Sequence, residues 1–202
     1  MFPDLTRDDV FRIETGRLWL RWPMARDADA IARLAGDPAV ARRTSVIPTP
    51  LPQHEAERFV LRARAGNAAG EGLVMALCRR ASPGHAVGII GIESRPETDA
   101  PTDAPHLGYW LGRPCWGEGL MREAAEAMVE AFFAYAGGRS LASSVMLDNP
   151  ASRRILEACG FVPDGRGAFF SVARGETVAA DSFRLDRAGW LDRRGRSAGG
   201  SA

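Results

Sequence analysis

Two segments combine residue types and spacings that could do chemistry. The first runs Gly108-Tyr109-Trp110-Leu111 and, four residues on, Trp116-Gly117-Glu118-Gly119-Leu120-Met121. A strand-like run turns through two glycines into a long amphipathic stretch. The start of a helix leaves backbone N–H groups without intrahelical partners at the positive end of its dipole, which suits a phosphate. Gly117 and Gly119 let a ligand come close to the backbone. Glycines placed only for tight strand–helix packing would read the same way. Two better-known phosphate loops are excluded. A Walker loop ends in Gly-Lys, and all 26 basic residues here are Arg. A dinucleotide fingerprint needs a third glycine three positions past Gly119, where Arg122 stands.

The second segment is Leu147-Asp148-Asn149-Pro150-Ala151-Ser152, leading into Leu156-Glu157-Ala158-Cys159-Gly160-Phe161. Asn149 and Pro150 occupy the places of a helix N-cap and first helical residue. One reading of Asn149 is therefore a cap. The other is that Asn149 and Ser152, at the mouth of a sheet, hydrogen-bond a ligand. Cys78, Cys115 and Cys159 show neither metal-ligand spacing nor a CxxC pair, and suit a reducing, cytoplasmic setting. The five tryptophans read as core residues, with Trp116 set apart because it adjoins the glycine loop.

These segments need elements to hold them. Residues 1–11 read as a polar lead-in, without the apolar stretch of a secretory signal. Leu18, Leu20 and Trp22 alternate as a strand, and Asp27 reads as the cap of a helix over 28–35. The three prolines within 44–52 predict an irregular stretch, followed by a helix over 53–65. Strands are predicted over 73–78, 86–92 and 106–111. An acid-rich loop, with Glu93, Glu97, Asp99 and Asp103, lies between the last two. The longest helical stripe pairs Leu120/Met121, Ala124/Ala125, Met128/Val129 and Phe132/Phe133. A strand over 140–147, a helix over 151–159 and closing antiparallel strands over 161–185 complete the domain. Residues 187–202 are rich in Arg, Gly and Ser and read as a mobile C-terminal tail. This order predicts one α/β (α+β) domain over 1–186. Its net charge of +1 speaks against nucleic-acid or membrane-surface partners.

Glu14-Thr15-Gly16-Arg17-Leu18-Trp19-Leu20-Arg21, the glycine loop and the Asn149 segment together resemble the GNAT superfamily of acetyl-CoA-dependent N-acetyltransferases. The likeness is nearest to the branch containing ribosomal-protein alanine N-acetyltransferases of the RimJ/RimL type, and spans about residues 12–186. It implies a mixed, mostly antiparallel, twisted sheet of about seven strands with helices on both faces. It also implies that the strands beginning at His106 and Ser140 splay apart around the pantetheine arm. Coenzyme A would be held by Trp110, Leu111, Trp116, Gly117, Glu118, Gly119, Leu120, Met121 and Asn149. An attacking amine must be neutral, so a base helps. Glu93 and His106 are the candidates, with Ser152, a water or the ammonium formed by attack to protonate the departing thiolate. No metal is implied. Two places depart from the family pattern. Pro114 stands where Gln or Arg is usual, and Leu156 stands where many members carry a tyrosine acid. The implied reaction is direct acetyl transfer in a ternary complex to a protein N-terminal α-amine. Alternatives are a small amine (polyamine, aminoglycoside or amino-acid-like) and a non-catalytic acyl-CoA-binding module. Either a monomer or a homodimer is compatible with the sequence.

Overall fold

Alternation along the strands decides which helices cover which face of the sheet. In β3 (Gly72–Arg79), Leu73, Met75 and Leu77 join one core cluster, and Val74 and Ala76 join another. The first cluster packs beneath α4 (Leu120–Ala134) and α5 (Pro150–Ala158). The second packs beneath α1 (Ala28–Ala35) and α3 (Gln53–Ala69). The short helix α2 (Pro38–Ala41) lies between those two in the chain. The structure, a computed structural model, describes residues 2–94 and 104–199. Glu97, Asp99 and Asp103 of the predicted acid-rich loop therefore lie outside the described residues.

Eight strands form one sheet in the order β1-β2-β3-β4-β5-β6-β8-β7. Besides β3 they are β1 (Arg12–Glu14), β2 (Leu18–Arg21), β4 (Ser82–Glu93), β5 (His106–Leu111), β6 (Ser140–Met146), β7 (Val162–Ser171) and β8 (Glu176–Asp186). Every neighbouring pair is antiparallel except β5 and β6. The count exceeds the expected seven because β1, just past the stretch read as a lead-in, pairs with β2. That stretch is not merely polar. Phe2 is buried and meets Phe132 edge-on, with ring centroids 6.1 Å apart.

Two further expectations are corrected. Asp27 precedes α1 without a side-chain cap bond. Its carboxylate instead takes both Nη atoms of Arg21, at 2.7 and 2.8 Å, and the Met24 amide at 2.7 Å. Asp27 is 1% exposed, where a carboxylate needs a cation more than a helix needs a cap. The segment after 186, read as a mobile tail, forms helix α6 (Arg187–Gly199). Trp190 anchors it to α4 by stacking on Phe133 at 5.5 Å and donating from Nε1 to Glu130 at 3.1 Å. One buried indole outweighs the poor helix propensity of the glycines around it.

The parallel pair is a fork. A single ladder position, His106 opposite Ala142, joins β5 to β6. The Ala142 amide donates to the Pro105 carbonyl at 2.9 Å, and Ser143 Oγ donates to the Leu107 carbonyl at 2.9 Å. Past this vertex the strands diverge toward their C-terminal ends. The loop into α4 leaves one prong and the loop into α5 leaves the other.

Candidate active site

The fork opens into a cavity of about 810 Å³, within the usual range for small-ligand sites. The α4 loop closes one side of it. Gly117 and Gly119 have φ of +80° and +75°, the left-handed region where a side chain is strained. Gly119 is the N-cap of α4 and supplies no side-chain cap, so the first-turn N–H groups are left to a ligand. Leu120, Met121 and Arg122 line the same wall. Trp116 is pinned beside it by donating from Nε1 to the Leu111 carbonyl at 2.7 Å.

Ion pairs brace the loop from behind. Arg17 donates from Nε to Glu123 at 2.6 Å and from Nη1 to the Glu118 carbonyl at 2.7 Å. Burial alone would raise the Glu123 carboxyl. Hydrogen bonds from Thr15 Oγ1, the Arg17 amide and the Arg17 guanidinium outweigh it and hold the pKa below the ordinary value. The Glu118 side chain turns to Arg79 on β3, at 2.5 Å, and the Arg79 hydrogen bond lowers its carboxyl pKa. Glu118, expected among the cofactor contacts, thus contributes its side chain to loop support and does not line the cavity.

The two faces of β5 carry different groups. His106, Gly108 and Trp110 fall on the α1/α3 side, where Trp110 packs against the second core cluster. Glu93, the last residue of β4, stands directly opposite His106 in the β4–β5 ladder. Directly opposed residues share a face, so the two candidate bases sit side by side with both lining the cavity. Leu107, Tyr109 and Leu111 fall on the α4/α5 side. There Tyr109 Oη lies 2.9 Å from Ser152 Oγ. Burial raises the Tyr109 phenol above its ordinary pKa, and the Ser152 hydrogen bond only partly opposes this. Tyr109 therefore keeps its proton throughout the neutral range.

Asn149 does cap α5, its Oδ1 accepting the Ser152 amide at 3.2 Å. It also lines the cavity. Tyr109 was quoted in the sequence motif without a role. Strand alternation against His106 was the signal that would have placed it on the opposite face. Ser143 at the vertex gave no signal, being one of three serines in its strand. The remaining walls come from the irregular stretch 42–52, the α3 face of Glu55, Phe59 and Arg62, and Phe169 and Val172 near the β7–β8 turn. All three cysteines are unbridged and buried. Burial pushes the Cys78 thiol up to about 11 and the Cys159 thiol up to about 12, so neither supplies a thiolate. No cluster of three or more His, Cys, Asp or Glu side chains able to hold a metal ion, and no helix long and apolar enough to cross a membrane, occurs among the described residues.

A mixed sheet forked at its one parallel pair, with a glycine-bearing loop at its mouth, defines an acyltransferase class of fold. The chain matches the acetyltransferase (GNAT) domain family over residues 17–162 and belongs to that family. No curated protein sequence matches it. Among solved structures it is similar to the ribosomal-protein-S5-alanine acetyltransferase from Vibrio fischeri. The TM-score is 0.73 at 17% identity, over 89% of this chain and 98% of that one. It is also similar to RimL, a ribosomal L7/L12 α-N-protein acetyltransferase in complex with coenzyme A. There the TM-score is 0.72 at 17% identity, over 87% of this chain and 98% of that one. A third is the microcin C7 self-immunity acetyltransferase MccE in complex with acetyl-CoA and AMP, with TM-score 0.69 at 15% identity, over 85% and 93%. At these identities the likeness is one of fold.

Proposed function

We propose that this chain transfers the acetyl group of acetyl-CoA to a primary amine by direct attack in a ternary complex. The observation that carries the reading is the division of groups across the fork. Glu93 and His106 are on the α1/α3 face, Tyr109 and Ser152 are on the α4/α5 face, and an uncapped helix start lies at the mouth. The diphosphate would rest on the N–H groups from Gly119 to Met121, near Trp116 and Gly117. The pantetheine arm would run along β5 past Leu111 and Trp110, with Asn149 across from it.

The amine nitrogen forms its bond to the thioester carbonyl carbon while the carbon–sulfur bond breaks. Glu93 or His106, directly or through water, removes the ammonium proton. When Tyr109 donates to Ser152 Oγ, the Ser152 hydroxyl is turned toward the departing thiolate and gives it a proton, which Ser152 regains from solvent water while the base releases its own proton to solvent. Tyr109 and Ser152 together thus take the part of the late-helix tyrosine, whose place in the sequence is held by Leu156. No acetyl-enzyme forms, since covalent catalysis would need an activated nucleophile beside a base. The setting is cytoplasmic, supported by the unbridged cysteines.

The acceptor is a protein N-terminal α-amine, the reading favoured by the branch that the sequence motifs resemble. One observation favours a small amine instead. The stretch 42–45 is tied by hydrogen bonds to the β7–β8 turn, and residues from both line the acceptor side of the cleft. Release of coenzyme A thiol, assayed with peptides bearing Ala or Ser at the N-terminus and with a panel of small amines, tests both. Turnover with peptides alone supports the first acceptor class, and turnover with small amines alone supports the second. Coenzyme A binding without turnover on any amine would reduce the chain to an acyl-CoA-binding module.

A further inference from the structure

The arginines that brace the loop are already paired, and Arg113, in the turn just before it, does not line the cavity. Pro114 occupies the place where relatives carry Gln or Arg. Arg17 is paired with Glu123, Arg79 with Glu118 and Arg122 with Glu126. Arg43 differs from these three. It follows α2, lines the same cavity as Gly117 and Gly119, and has no carboxylate partner among the described residues. Its guanidinium lies over the Trp116 ring, 5.0 Å from the centroid, and its Nη1 donates to the Ala39 carbonyl at 2.7 Å. One stacked face and one carbonyl fix the plane of the group while most of its five N–H donors stay available. Trp116 belongs to the anion loop itself, so the loop holds this cation at its own rim.

We propose that Arg43 engages the diphosphate of bound coenzyme A from across the cleft, opposite the start of α4. The assignment rests on the coenzyme A reading above. A planar fork suits paired phosphate oxygens, and hydrogen bonds between ionised groups are about twice as strong as neutral ones. The same short stretch lines the acceptor side of the cleft. The Val172 amide donates to the Ser45 carbonyl at 2.8 Å, Ser171 Oγ to the Thr44 carbonyl at 3.1 Å, and Arg174 Nε to the Arg42 carbonyl at 2.8 Å. Binding of the diphosphate by Arg43 therefore also fixes the wall against which the acceptor docks, and coenzyme A binds before the amine.

Calorimetric titration of the full chain with coenzyme A, at low and high NaCl, tests the assignment without any acceptor. Arg43 is exposed, so Arg43→Met should fold normally. Its affinity for coenzyme A should fall at least tenfold, with a shallower dependence on salt. Arg43→Lys should keep the salt dependence and lose less affinity. Arg62→Met removes the other cation that lines the cavity without a carboxylate partner, and should bind as wild type does. Unchanged affinity in Arg43→Met would overturn the proposal. So would a loss with the full salt dependence retained, or a larger loss in Arg62→Met. If wild type itself failed to bind coenzyme A, the function proposed above would fall together with this assignment. Binding by wild type with an unaffected Arg43 variant would remove this assignment alone.

Discussion

The wall of the cleft at Gly117 and Gly119 is made of backbone, whereas the wall at residues 42–52 and 169–172 is made of side chains drawn from separate segments. In the proposed reaction the first would recognise what every donor shares, a diphosphate, using N–H groups whose positions follow from helix geometry. The second must recognise one acceptor, and helix geometry does not dictate which side chains it uses. The faces of β5 repeat the contrast. Glu93 and His106 meet because two strands are in register, while Tyr109 and Ser152 meet because a helix from another part of the chain crosses over a strand. Conserving the donor while varying the acceptor therefore requires changes on the side-chain wall alone, provided that Arg43 is kept.

Variants that separate the two walls should separate turnover from affinity. The largest effect is expected at the base. Of Glu93→Gln and His106→Gln, the one that removes the true base should lower kcat about 100-fold or more. A base works deprotonated, so wild-type activity falls as the pH drops, and the same variant should flatten that acidic limb. Coenzyme A affinity should be unchanged in both. If the limb keeps its shape in both variants, the amine arrives neutral and neither residue is the base.

Gly119→Val breaks the other wall. A Cβ there would have Arg17 Nη2 as its nearest neighbour at 3.6 Å, so the space is open on the protein side. The left-handed φ costs about 1–2 kcal/mol, which a domain of this size tolerates. The side chain would stand in the path of the diphosphate, and coenzyme A affinity should fall at least tenfold by calorimetry. Unchanged affinity would remove the diphosphate from this loop.

Tyr109→Phe sharpens the division between the faces of β5. Losing one hydrogen bond worth about 1 kcal/mol should lower kcat roughly fivefold, with the KM for acetyl-CoA unchanged. An acetyl thioester of an acidic aryl thiol leaves without needing a proton. With that donor the variant should match wild type. A deficit that persists would make Tyr109 a packing residue rather than the group that orients Ser152.

Much of this arrangement was legible in the sequence wherever one local rule decided the outcome. The glycine loop, the stripe of α4 and the Asn149–Pro150 helix start all follow from spacing along one segment, and the strand at His106–Leu111 falls where the pattern put it. Long-range partners were not legible. Asp27 looked like a cap until Arg21 came within 2.7 Å, and nothing local announced that the Glu118 side chain meets Arg79. The segment after 186 looked like a tail because nothing local announces that Trp190 has Phe133 to stack on. Arg43 and Tyr109 are of the same kind, since each gains its meaning from a residue far away in sequence.

The smallest predicted effect tests whether the backbone wall depends on its brace. Glu123 receives Thr15 Oγ1 at 2.6 Å, the Arg17 amide at 2.8 Å and Arg17 Nε at 2.6 Å, while Arg17 also holds the Glu118 carbonyl. It stands in the first turn of α4, where a negative charge is favoured by the dipole. Glu123→Gln should cost about 1 kcal/mol of stability near pH 7, because Arg17 is half exposed and such pairs are screened. The folded-state pKa of Glu123 lies below the ordinary value, so its contribution is complete above about pH 4.3 and is lost as the pH falls through the lower folded value. Thermal melts of wild type and variant from neutral to acidic pH should therefore converge at the acidic end. A gap that stays constant with pH would mean that Glu123 supports the loop by shape alone, and the Arg17 brace would then carry no charge-dependent share of the coenzyme A site.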